Sequence, residues 1–322
     1  MNKKILENIQ PGMTWTSYIS GVYGALTGAG LWKDEAWKLM GMTGMAFHFI
    51  MHKNCCPSSV TVYDWMAEHT AMMDRIGIHS DFYQTYYDSK SGTFPLRQKD
   101  AVRRFKESID RGVSAVVWAP TRILEFGVIH GYDDDDGVFH VFDCTCKDVD
   151  PLLYSNLGKS DVPILAYQIF KDRVEVDPEQ VYRDSLRFAA GEWEKDFHIS
   201  PDYASGKKAY DYLLRSIEDG TFDSFGLAYC IAVYSDAKSC IARYLDFLSA
   251  QSAGLKVLDK AALLYGSIAE KYKTMQELFP FSGENGSGCT ADRGNAPALL
   301  KLAQECAGLE AQAMSIIKAS LQ

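Results

Sequence analysis

The sequence predicts an α+β fold: a mixed N-terminal half followed by an all-helical C-terminal half. Three observations carry that reading. Apolar residues recur at helical spacing up to about residue 76, with Gly stops. Between residues 80 and 170 the period changes to strand alternation, broken by one amphipathic helix. From about residue 176 strand signals disappear and five helical stretches follow. Helices first and strands after, with a helix between, is an α+β pattern.

The elements follow in order. Residues 14–29 read as a helix with Val22, Ala25, Leu26 and Ala29 on one face, stopped by Gly30. A second helix starts from Asp34, a good N-cap, and reaches Met40. Residues 41–49 are Gly- and Met-rich and match no period. Residues 60–76 form a third helix, ended by Gly77. Residues 80–87 alternate and are aromatic, as strands are. Residues 100–111 form an amphipathic helix ended by Gly112, and 113–118 is an apolar run of strand length. Residues 165–170 add one more strand. Asp177-Pro178 is a strong helix start, an N-cap followed by Pro at the first helical position. Helices are expected over 178–197, 205–219, 223–250, 256–278 and 297–320. A Gly/Ser/Asn-rich stretch at 281–297 separates the last two, and together they read as an antiparallel bundle. The boundary falls near 171–177, giving domains of 1–172 and 173–322.

Composition narrows the function. With 47% hydrophobic and 12% aromatic residues in 322, the chain has enough apolar surface for real cores. A formal charge of −9 disfavours a general nucleic-acid or anionic-membrane role, since both need positive surface. No run of about 18 apolar residues occurs, so no membrane span is expected. Residues 1–13 lack the apolar core of a secretory signal, and the eight cysteines are not spaced as a disulfide framework, so a cytoplasmic location is expected.

The most informative stretch is Glu125–Asp143, EFGVIHGYDDDDGVFHVFD, which reads as a strand, an acidic turn and a second strand. Thirteen residues before Gly30 stands Ser17. Asp34-Glu35 follows, then Gly41, Gly44 and Phe47. This pattern resembles the N-terminal domain of the butirosin-biosynthesis protein H type, a C39-peptidase-like branch of the papain-like fold. The resemblance extends over Gly112, the 113–118 run, Phe126–Asp133 and Asp143, and a helical C-terminal half also suits that family. It implies a papain-like domain with a small antiparallel sheet. In such families a Cys at a helix start is the nucleophile, a His the base and an Asp or Asn its orienter. They transfer acyl groups from carrier-protein thioesters to amines, or cleave after Gly-Gly leaders. Here Ser17 takes the Cys place, Glu125 the His place and Asp143 the Asp place. Two of the three are altered.

The alterations matter physically. A helix dipole shifts a pKa by about one unit, enough to help a thiol near 8.5 but far too little for a serine hydroxyl. Serine needs a base, and a Glu at about 4.3 is a poor one unless Asp143 beside it raises its pKa. If both carboxylates stay charged, they attract an amine or form an internal salt bridge, with Arg122 as candidate partner. Trp15, Thr16, Phe47, His48 and Trp118 are expected to line the site, and Thr16 takes the serine role if the register shifts by one. The first expectation is therefore a catalytically altered family member. It binds a small molecule, a peptide or a carrier-linked acyl group in a biosynthetic pathway. The second is an active acyltransferase or amide hydrolase using Ser17, Glu125 and Asp143. The third is a structural or regulatory protein that docks a partner, or a second copy in a homodimer, through its helical half.

No cofactor and no metal are expected. His130 and His140 face each other if Tyr132 pairs with Val138, on the sheet face opposite Glu125. The spacing His-x9-His-x3-Cys-x-Cys, which includes Cys144 and Cys146, matches no zinc pattern. Asp133–Asp136 lacks the alternate ligands of a calcium loop and reads as a turn. Cys55 and Cys56 read as buried thiols, and there is no GxGxxG, phosphate loop, HExxH or GxSxG.

Overall fold

The structure is a computed structural model that describes residues 2–10, 12, 14–87, 92–145, 149–281 and 292–322. In chain order its strands and helices are β1 (Lys3–Ile5), α1 (Ser17–Gly28), α2 (Ala36–Met42), β2 (Ile50–His52), α3 (Trp65–Arg75), β3 (Ile78–Tyr86), α4 (Phe94–Asp110), β4 (Ala115–Trp118), β5 (Phe126–Asp133), β6 (Val138–Phe142), β7 (Leu152–Leu153), β8 (Ile164–Arg173), α5 (Pro178–Glu194), β9 (Tyr203–Ser205), α6 (Gly206–Glu218), α7 (Ser224–Ser249), α8 (Leu258–Leu278) and α9 (Ala296–Ala319). The α+β class holds. Among the described residues no helix is long and apolar enough to cross a membrane.

The chain forms two compact units. One is Met1–Leu39 with Trp65–Val176, the other Met40–Asp64 with Asp177–Gln322. This differs from a single boundary at 172/173, because Met40–Asp64 belongs with the helices. Side chains of the second unit hold that segment. The Tyr234 hydroxyl donates to Ile50 O (2.5 Å) and accepts from Ile50 N (3.1 Å). β2 pairs antiparallel with β9, and Gly41 lies against the Tyr244 ring.

The first unit is built on one sheet in the order β3-β8-β4-β5-β6-β7, all pairings antiparallel. Phe126–Ile129 of β5 pair with β4, and Gly131–Asp133 pair with β1. Alternation sorts the two faces. Val116 and Val128 meet Gly21, where a Cβ would lie only 3.3 Å from either methyl, so α1 sits close on that face. Ala115, Val117 and Ile129 instead share a core with Ala101, Phe105 and Ile109 of α4. The two helices therefore cover opposite faces. α1 and α4 run into Gly30 (φ +72°) and Gly112 (φ +86°), as the sequence predicts.

Three local expectations shift. α4 starts at Phe94, six residues before 100, because Pro95 is tolerated in a first turn, where its missing N–H has no partner to lose. α3 starts at Trp65, since Ser59 Oγ donates to Cys56 O (2.6 Å) and Thr61 Oγ1 to Ser58 O (3.3 Å), holding Pro57–Val60 as a 3-10 turn. In the hairpin Asp133, not Tyr132, pairs with Val138, and a bulge interrupts β5 between Ile129 and Gly131. Asp133 Oδ1 accepts from the Asp135 and Asp136 amides, which closes the acidic turn one residue tighter than expected.

The second unit is a helical bundle in which α7 packs along α8, and α8 and α6 along α9. Asp177 caps α5 by accepting from Glu179 N (3.1 Å), with Pro178 in the first turn. In α7, Leu227, Ile231, Tyr234, Lys238, Ile241, Leu245 and Leu248 are buried at alternating spacings of four and three. Lys238 thus occupies a core position, and its ammonium pairs with Glu310 of α9 at 2.6 Å. Cys55 is a buried thiol, and burial pushes it up to about 12. The Gly/Ser/Asn-rich stretch, apart from its ends, lies outside the described residues.

Candidate functional site

Ser17 is the first residue of α1, after the N-cap Thr16. Its Oγ donates to Glu125 Oε2 at 2.5 Å and accepts from the Phe126 amide at 3.2 Å. The first of these contacts joins Ser17 to Glu125, 108 positions along the chain. The hydroxyl that meets Glu125 belongs to Ser17 and not to Thr16, whose side chain makes no cap bond.

Glu125 precedes β5 in a tight turn. Its amide donates to Ile123 O (2.9 Å), and its carbonyl accepts from Ala119 N (2.8 Å). Ala119 has φ +46°, a strained conformation for a residue with a side chain, immediately before Pro120. Because Glu125 lies outside the strand, β alternation does not decide which sheet face it shares with His130.

Asp143 is buried just past β6, and it does not bond Glu125. Its Oδ2 accepts from the Thr121 hydroxyl (2.9 Å), and its Oδ1 from the Thr145 amide (2.8 Å) and hydroxyl (2.5 Å). Thr121 Oγ1 in turn accepts from Ile123 N (3.2 Å). Asp143 therefore fixes the loop that carries Glu125. The hydrogen bonds of Asp143 go to the two threonines. Arg122 is exposed and pairs with neither acid, because Ser17 and the two threonines take their place.

Behind Ser17 the wall is aromatic. Trp118 is buried against Trp65 and Phe126, and its Nε1 has no hydrogen-bond partner. The Tyr18 ring stacks on His69 at 3.5 Å, while its hydroxyl donates to Gln168 Oε1 (2.7 Å). In front, Trp15, Ile123 and Leu124 are 43%, 37% and 38% exposed, an apolar rim beside the carboxylate. Thr121, Tyr18 and Gln168 have no signal in the sequence, because each acts through a partner far along the chain; Thr145 lies two residues from Asp143.

Phe47 and His48 belong to the second unit. His48 Nδ1 lies 3.5 Å from Glu192 Oε2, which also meets His198 Nε2 at 2.7 Å. Burial pushes the Glu192 carboxyl up, but the His198 hydrogen bond, His48 and Lys195 outweigh it and hold it down to about 2. His130 and His140 have ring centroids 6.3 Å apart, and burial lowers the pKa of both. His140 pairs across from Gly131, so the histidines do not face each other in register. Cys144 is exposed, and Cys146 lies outside the described residues. No family model matches this chain, and no curated protein matches it.

Proposed function

We propose that the first unit is a papain-like domain of the butirosin-biosynthesis protein H type in which binding has replaced covalent chemistry. Glu125 is the anionic anchor for an amine on a small molecule, a peptide or a carrier-linked acyl group. The observation that carries this is the Ser17 hydroxyl. It is engaged by a carboxylate on one side and a backbone N–H on the other. The N–H draws on the oxygen lone pair that would attack a carbonyl. A carboxylate is intrinsically a weaker base than the imidazole that such families carry at this position. Asp143, the position that orients the base in the family, is turned to Thr121 and Thr145. The exposed Trp15, Ile123 and Leu124 supply apolar contact for the rest of an amine-bearing ligand.

Calorimetry with a panel of primary alkylamines and aminoacyl thioesters tests this. Glu125→Gln removes a charge-assisted hydrogen bond of about 1.5–3 kcal/mol, so affinity falls about tenfold or more. Ser17→Ala stays within about threefold of wild type, because it keeps the charge. Equal affinity in wild type and Glu125→Gln would remove Glu125 from the site.

A second reading rests on the same contact, which puts a carboxylate in hydrogen-bond reach of the hydroxyl, as a general base requires. It makes Ser17 an acyl-forming nucleophile with Glu125 as base and predicts a covalent acyl-serine.

A further inference from the structure

The structure assigns a divalent-metal site to His48, Glu192 and His198, inside the second unit. The three side chains are buried, with 6%, 3% and 5% of their surface exposed. One donor atom from each lies within 4.8 Å of the other two. Two imidazoles and one carboxylate form a donor set suited to zinc and its first-row neighbours. Zinc–nitrogen bonds of about 2.0–2.1 Å put tetrahedral donors about 3.4 Å apart. The His48–Glu192 separation is 3.5 Å. The His198–Glu192 separation, 2.7 Å, is a hydrogen bond with a proton in it. A metal ion displaces that proton to solvent and widens the gap by under an ångström.

The donors come from three places. His48 ends a 3-10 turn, Glu192 lies in the last turn of α5, and His198 follows that helix. Outer contacts already hold them. Lys195 Nζ meets Glu192 Oε1 at 2.6 Å, the Ser205 hydroxyl donates toward Glu192 Oε2 at 3.4 Å, and the His48 ring leans on Tyr63 and Phe188. Lys195 is the one cation these contacts place on the carboxylate, and its side chain is 36% exposed. It can therefore turn to solvent as a dication arrives. A bound ion would tie the 40–64 segment to α5 and to the strand at Ser205. No helical or strand spacing joins these residues, which is why the sequence offers no motif for them.

The test uses the full chain, stripped with chelator and titrated with Zn2+ against a chromophoric zinc indicator, with thermal unfolding followed in parallel. The expected result is one zinc per chain and a higher Tm. His48→Gln and His198→Gln should each weaken zinc by more than about 100-fold, beyond the 10- to 100-fold cost of losing an outer partner. Glu192→Gln also breaks the Lys195 and Ser205 contacts, so the histidine variants, checked for native circular dichroism, carry the result. Visible absorption of bound Co2+ should report nitrogen and oxygen donors without thiolate. Failure of wild type to bind, unchanged affinity in both histidine variants, or a thiolate signature would overturn the site and leave a hydrogen-bonded core cluster.

Discussion

Glu310→Leu is expected to destabilise the helical unit by about 3–5 kcal/mol, lowering Tm by about 10 °C or more. Lys238 is only 1% exposed, and its ammonium has Glu310 Oε1 at 2.6 Å and the Phe49 ring centroid at 4.4 Å. Tyr210 donates to Glu310 Oε2 at 2.6 Å and Tyr265 to Oε1 at 3.0 Å. Burial and the adjacent carboxylate raise both phenol pKa values, so both stay donors. Leucine at 310 leaves one buried ammonium and two buried hydroxyls without this acceptor. Water cannot compensate a site this deep, so the ammonium carries its full desolvation cost. The double variant Lys238→Met with Glu310→Leu removes the buried charge and is expected to recover most of the loss. Urea unfolding of the two variants measures it. Equal loss in single and double variants would mean that the pair contributes through packing alone.

Gly127→Ala is expected to cost about 3 kcal/mol, the upper part of the range for overpacking. A Cβ at 127 would lie 2.4 Å from Phe142 O, 2.6 Å from Pro120 Cγ and 3.3 Å from Asp143 Cα. The first of these is backbone in a paired strand and cannot swing aside, so β5 and β6 must part. The separation falls where Pro120 and Asp143 position the loop that carries Glu125, so ligand affinity should fall together with stability. Denaturant unfolding and calorimetry on the same preparation check both. A stability within about 0.5 kcal/mol of wild type, as for an ordinary surface change, would contradict the close approach.

Much of this was legible in the sequence where the cause is local. Asp177-Pro178 marks the start of α5 because capping and fixed φ act within one turn. Gly30 and Gly112 mark helix ends because only they take positive φ cheaply there. Counting from Gly30 to Ser17 placed a hydroxyl at the first residue of α1, and the fold brings it to Glu125, 108 positions away. The rest depends on contacts that no window of sequence contains. Met40–Asp64 joins the helices through Tyr234 and β9. Asp143 accepts from Thr121, 22 positions away. Lys238 and Glu192 did leave a trace, a charge on an otherwise apolar helical stripe, which is a sign of a buried partner.

The most direct test of the central claim is intact-mass spectrometry after incubation with acyl-thioester probes. Wild type and Ser17→Ala are compared at roughly pH 5 and pH 7.5, since catalysis by a general base depends on pH. Adducts on the exposed Cys144 thiol occur in both proteins and cancel in the comparison. A binding site anchored on Glu125 predicts the same pattern of adduct mass shifts for the two proteins at both pH values. An acyl adduct on wild type that disappears in Ser17→Ala would contradict it and make Ser17 a working nucleophile.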